Sequence, residues 1–239
     1  MSSPLIPLAE TLRDEVDRLR FDAPVACTYN PLRYAWAPHR VYLERFGQTP
    51  KRVVFLGMNP GPFGMAQVGI PFGEIAAVRD WIKITAPVEK PGIEHPKRPI
   101  TGFACTRAEV SGRRLWGLMA ERFGTAEAFF QDHFVLNYCP LVWMGDSGAN
   151  LTPDKLSAAE REAVERPCRA HLRAVLECLQ PEFAVGVGGY AAKKFAEVTT
   201  STDPWTVSTV LHPSPASPAA NRGWSDAATR MLTESGVWS

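Results

Sequence analysis

Four short apolar runs, each of strand length and each followed by residues of helical periodicity, constrain this chain more than any other feature. They lie in VVFLG (53–57), HFVLNYCPL (133–141), EFAVGVGG (182–189) and WTVSTVLHPSP (205–215). Between and after them, EIAAVRDWIKI (74–84), AEVSGRRLWGLMAERFG (108–124), PDKLSAAEREAVERPCRAHLRAVLECLQ (153–180) and YAAKKFAEV (190–198) read as helices, the third bent or broken at Pro167. SPAANRGWSDAATRMLTESG (217–236) reads as a closing helix with Ser217 as its N-cap. An amphipathic helix over 5–20 carries Leu5, Leu8, Leu12, Val16 and Leu19, and Pro38 opens a short helix that Gly47 closes. Strands alternating with helices pair in parallel through right-handed crossovers. The expected fold is therefore α/β, a three-layer α/β/α arrangement around a central four-stranded, mainly parallel sheet.

At 239 residues, with 45% hydrophobic and 21% charged side chains, the chain fits one soluble globular domain spanning 1–239. No leader pattern opens it, and no apolar run is long enough to cross a bilayer, so an intracellular protein without membrane contact is expected, in the bacterial cytoplasm or the eukaryotic nucleus. Five separated cysteines, an odd number with no C-x-x-C pair, argue against a disulfide framework and a structural zinc, and five scattered histidines give metal chemistry no anchor. A net charge of +1 rules out a bulk polyelectrolyte binder. It leaves room for a local basic groove, for which KR (51–52), HPKRP (95–99) and GRR (112–114) are candidates, although such clusters are more often solvated faces.

Ligands of parallel α/β sheets bind outside the carboxyl ends of the strands. The residues just past those ends are Asn59, Asn137, the glycine stretch 186–189 and His212. The loop after the first run, GMNPGPFGMAQVGIPFG (57–73), lacks both the Gly-Lys-Ser/Thr of a nucleotide hydrolase and the G-x-G-x-x-G spacing. Stripped by glycine and stiffened by proline, it suits a close pocket for a flat ligand, with a merely structural turn as the alternative. Asn59 cannot titrate but can hold a water through its carbonyl oxygen. His212 can donate a hydrogen bond, or place a positive charge, near a developing anion. Asn137 can pair with the N3–H and O4 edge of uracil if its amide orientation is locked.

These residues, in GMNPGPFGMAQVGIPFGEI, EHPKRPITGF, EVSGRRLWG, NYCPL, NLTP, GVGGYA and HPSPASPAANRGW, give the chain a close resemblance to the single-strand-selective monofunctional uracil-DNA glycosylases of the uracil-DNA glycosylase superfamily, over roughly 50–230. The resemblance implies base excision repair: hydrolysis of the N-glycosidic bond of uracil in DNA without strand cleavage or cofactor, on a base flipped into the pocket. It implies that Asn59 positions the water, His212 stabilises the departing anion, Asn137 reads the base edge and Phe72 stacks on its face. Gly61 and Met65 shape the space near C5, with room for 5-hydroxymethyluracil, and Met58 and Pro60 complete the substrate-binding loop. With no carboxylate beside the water, a dissociative transition state is expected.

DNA contacts are expected from Ser214, Pro215, Ala216, Ser217, Asn221 and Arg222. The resemblance leads one to expect a bulky arginine wedge at the tip of this turn, where Ala216 and Ser217 stand instead. Single strands are therefore the expected substrate, with duplex DNA opened poorly. A monomer is expected, and the cysteine spacing disfavours an iron-sulfur relative. Competing readings are a same-fold glycosylase for xanthine or hypoxanthine, and a non-catalytic module that binds nucleotide or single-stranded DNA.

Overall fold

Runs rich in Val, Phe and Leu without polar alternation are what a parallel sheet covered on both faces requires; the first three runs fit that pattern, and the fourth, TVSTV, lies at the edge of the sheet. The structure, a computed structural model, describes residues 2–48 and 50–239. Its strands are β1 (Cys27–Tyr29), β2 (Val53–Gly57), β3 (His133–Asn137), β4 (Val142–Met144), β5 (Asn150–Leu151), β6 (Phe183–Val187) and β7 (Thr206–Val210). Its α-helices are α1 (Leu5–Val16), α2 (Pro31–Tyr34), α3 (Trp36–Phe46), α4 (Met65–Val68), α5 (Val110–Phe123), α6 (Ala126–Asp132), α7 (Ala158–Leu179), α8 (Gly189–Val198) and α9 (Trp224–Glu234). The central sheet has the order β3-β2-β6-β7 and every pair in it is parallel. All five residues of β2 are buried, whereas the edge strand β7 begins exposed at Thr206.

The crossover from β2 to β3 runs one way along the sheet and that from β6 to β7 runs the other, so their helices cover opposite faces. Helix α5 packs on α6 and α9, while α7 packs on α1 and α8. The reversal falls between β2 and β6, which places the ligand crevice outside the carboxyl ends of those strands. One packed apolar cluster reaches from Leu5 to Trp238.

Several local expectations need correction. A second, antiparallel sheet of order β1-β4-β5 joins residues more than a hundred positions apart, with Cys27 opposite Met144. The segment expected as a helix over 74–84 forms a wide π turn at Ala77–Trp81, closed by the Ile82 amide on the Ala77 carbonyl, which buries Val78, Ile82 and Ile84. Helix α7 runs through Pro167 unbroken, and its buried face from Val164 to Leu179 offsets the roughly 3 kcal/mol that an interior proline costs. Ser217 accepts from the Ala220 amide in the turn that precedes the 3₁₀ segment Ala220–Arg222, and does not cap α9, which starts after Gly223. The five cysteines are free thiols. Among the described residues no cluster of His, Cys, Asp and Glu could hold a metal ion, and no helix is long and apolar enough to cross a membrane.

Candidate active site at the carboxyl ends of the sheet

The pairing of β2 with β3 continues beyond the strands: Tyr138 donates its amide to the Gly57 carbonyl and Cys139 donates to that of Met58, both at 2.9 Å. These two bonds set the loop carrying Asn59 beside the end of the strand carrying Asn137. The Asn59 Nδ2 donates to the Leu141 carbonyl at 3.3 Å, whereas its Oδ1 is buried and accepts from no protein donor. Such an oxygen is costly unless something in the site donates to it. Asn137 Nδ2 lies 3.3 Å from the Met65 sulfur, which fixes the direction of that amide.

Gly57 must be bare for this floor to exist. A Cβ there would stand 2.2 Å from Asn137 Oδ1 and 2.7 Å from the Phe72 ring. Phe72 itself holds a φ of 54°, a backbone position that side chains rarely adopt. Its carbonyl is held by the Trp116 indole at 3.1 Å and the Glu74 amide at 2.7 Å. Helix α5 reaches this turn only because Gly112 lacks a Cβ, which would sit 2.0 Å from the Phe72 carbonyl oxygen.

His212 follows β7 by two residues, and its ring centroid lies 6.5 Å from that of Phe72. The Ser214 amide donates to His212 Nδ1 at 3.1 Å, so the neutral imidazole carries its proton on Nε2. Burial pulls the His212 pKa below the usual histidine value and favours that neutral, Nε2–H form. Gly188 packs against the other side, where a Cβ would come within 3.1 Å of His212 Cβ.

The turn is braced from outside. Trp224 donates to the Leu211 carbonyl at 2.6 Å, and Arg114 reaches from α5 to the Pro213 carbonyl and to Asn221 Oδ1, both at 2.9 Å. Asn221 in turn donates to the Pro215 carbonyl at 2.9 Å.

One cleft of about 300 Å³ collects most of the residues singled out from the sequence: Met58, Asn59, Pro60, Gly61, Met65, Phe72, Asn137, His212, Ser214 and Pro215. Ala216, Ser217, Asn221 and Arg222 lie outside its lining. Pro215 and Ala216 are exposed at the turn's tip, Arg222 is exposed, and the amide of Asn221 is engaged within the turn.

Sequence reasoning missed Glu109, Ser111, Asn150 and Thr152, which line the same cleft. Glu109 is the N-cap of α5 and accepts from the Ser111 amide at 3.2 Å. Its place immediately before a helix was the available signal. Burial pushes its carboxyl above the usual carboxylate range, opposed by hydrogen bonds from Ser111. The bare faces of Gly61 and Gly64 abut this side chain: Cβ atoms there would lie 3.0 Å from Glu109 Oε2 and 2.9 Å from its Cγ. No carboxylate bonds to Asn59, yet the cleft does hold a carboxyl.

The uracil DNA glycosylase superfamily model matches residues 44–232. The chain is 47% identical over 227 residues to the single-strand selective monofunctional uracil DNA glycosylases of Bos taurus and Mus musculus, covering 95% of this chain and 84% and 81% of theirs. A crystal structure of Pedobacter heparinus SMUG2 superposes with a TM-score of 0.67 at 16% identity, over 96% of this chain and 97% of that one, which is a likeness of fold. A shared fold, a match over most of the length and the site assembled at the strand ends agree: the chain belongs to the uracil DNA glycosylase superfamily, within its family of single-strand selective monofunctional uracil-DNA glycosylases.

Proposed function

We propose that this protein hydrolyses the N-glycosidic bond of uracil in DNA, single strands favoured, and leaves an abasic site. The observation that carries this reading is the buried, unpartnered Oδ1 of Asn59 in one cleft with a neutral His212 and an orientation-locked Asn137. Asn59 Oδ1 accepts a hydrogen bond from the attacking water, anchored through Nδ2 on Leu141. Asn137 Oδ1 accepts from N3–H and its Nδ2 donates to O4, a pairing that cytosine reverses. Phe72 stacks on the ring. His212 donates its Nε2–H to the carbonyl oxygen on which charge grows as the bond breaks. A preorganised donor in a water-poor cleft stabilises that anion more than the neutral base.

With Nδ2 of Asn137 beside Met65, O4 faces Met65 and C5 is next along the ring, toward the Gly61–Gly64 wall backed by Glu109. Oxidised uracils such as 5-hydroxymethyluracil fit this reading, because an added hydroxyl finds a buried carboxyl on that side. The exposed small tip at Ala216 supports a preference for strands that need no opening.

The test is a single-stranded oligonucleotide with one uracil, treated with hot alkali after incubation. Strand cleavage at the uracil, strongly reduced by Asn59→Ala and by His212→Ala, is expected. An oligonucleotide left intact by the wild-type protein would overturn the reading. Substituting 5-hydroxymethyluracil for uracil tests the C5 side, where no release of the modified base would remove that part alone.

A further inference from the structure

Outside the cleft, the feature with most unspent chemistry is the loop that joins the π turn to α5. Two arginines of this loop lie over one aromatic ring: the guanidinium carbons of Arg98 and Arg107 are 5.4 and 4.8 Å from the centroid of Phe63. Neither arginine, nor the exposed Lys97 beside them, has a carboxylate partner among the described residues. Arg98 spends one Nη1 bond on the Lys97 carbonyl, and its buried Nε donates to nothing. Unpaired guanidinia ordered by stacking hold their remaining N–H groups ready for two oxygens of one oxyanion, such as a phosphate.

Position and rigidity make this more than a solvated cluster. Phe63 is flanked by Pro62 and Gly64, both of which line the cleft, so the arginine pair stands at the cleft's rim. The buried side chain of Gln67 bolts the arginine loop to that rim, donating to the Pro62 and Pro99 carbonyls at 3.0 and 3.2 Å and accepting from the Thr101 and Gly102 amides at 2.9 and 3.2 Å. Tyr29 holds the same loop from beneath, receiving the His95 amide at 2.8 Å and donating to the Arg98 carbonyl at 2.7 Å. The 145–152 segment packs on it too, since a Cβ at Gly148 would stand 3.2 Å from Lys97 Cβ and 3.4 Å from Arg98 Cγ. The backbone that carries Arg98 is fixed by these anchors and the Phe63 ring orients both guanidinium groups, so less freedom is lost on binding.

We propose that Arg98 and Arg107, ordered by Phe63, form a phosphodiester-binding site for the DNA strand flanking the base in the cleft. Phe63 is the platform that orients the two guanidinium groups, and the strand's phosphates are the ligand. The inference rests on the cleft being a base pocket, and its test separates the two ideas.

Binding of a uracil-free oligothymidylate is measured over a salt series for the wild-type protein, the Arg98→Ala/Arg107→Ala double variant and Phe63→Leu. Each phosphate contact to a single strand contributes about 0.7 to the slope of log affinity against log salt, so the double variant is expected to be shallower by about 1.4. Phe63→Leu, which keeps bulk but removes the π face, is expected to fall between. For a long uracil-containing strand the double variant raises KM and leaves kcat unchanged. A wild-type salt slope in the double variant would overturn the proposal, even with uracil excision intact. A reduced slope in a protein that leaves uracil untouched would sustain the proposal and sink the glycosylase reading instead.

Discussion

The floor of the cleft and its rim are built by different means. On the floor, Asn59, Asn137 and His212 sit within two residues of strand ends whose register is fixed, Gly57 opposite Asn137 and Val187 opposite Val210. Single anchors set the directions of Asn59 and His212 and leave Oδ1 of the first and Nε2 of the second unspent. On the rim, the turn after His212 and the arginine loop are non-repetitive backbone held by side chains, Arg114 and Asn221 for one, Gln67 and Tyr29 for the other. In the proposed reading, the sheet positions the groups that act on a bond, and side-chain staples position the groups that hold a polymer.

If that division is real, damage to the floor lowers the rate at saturation and damage to the rim lowers affinity. The largest expected effect is His212→Ala, a loss of ~10²–10³ in single-turnover rate, the size of removing one preorganised donor to a developing anion. A loss below tenfold would remove His212 from the chemistry. Arg114→Ala tests where floor and rim meet. It frees the Pro213 carbonyl and Asn221, so the imidazole shifts and kcat falls roughly tenfold. Arg114→Lys is expected to restore little of it, because a lysine cannot span both acceptors as a fork does.

Gln67→Leu probes the rim alone. It strands two carbonyls and two amides, and urea unfolding is expected to show a loss of about 1–3 kcal/mol. An unchanged urea midpoint would mean that the loops hold each other without it.

The smallest difference at neutral pH lies beneath both regions, in the core histidines. His39 and His133 are buried, and burial lowers each pKa from 6.5 to about 4. Between those values the unfolded chain binds protons that the folded one does not, so stability falls as pH falls through that window. At one pKa unit per 1.36 kcal/mol the loss is on the order of 2–3 kcal/mol per histidine by the acid end. Urea midpoints from pH 7 to about pH 4 check it, and a flat profile would contradict these burial assignments.

The central sheet was legible because three of its strands lie in short apolar runs and the fourth, TVSTV, is β-branched-rich, and the floor residues were legible because they follow those segments directly. What escaped was whatever depends on segments distant in sequence. Strands β1, β4 and β5 have three, three and two residues, too short for any period to register alone. Glu109 enters the cleft from the start of α5, and the bare faces of Gly61 and Gly64 accommodate its side chain, where the sequence had suggested a flat ligand or a merely structural turn. Pro167 misled because burial of one helix face outweighed a local cost. Ser217 misled because its hydroxyl is engaged by the Ala220 amide in the turn ahead of the 3₁₀ segment, and α9 begins only after Gly223.

The most direct test of the division between floor and rim is one single-turnover experiment at saturating enzyme, comparing His212→Ala with the Arg98→Ala/Arg107→Ala variant on the same uracil-containing single strand. The account predicts a rate reduced by ~10²–10³ for the first and a wild-type rate for the second. Equal losses in both, or a wild-type rate for His212→Ala, would contradict it.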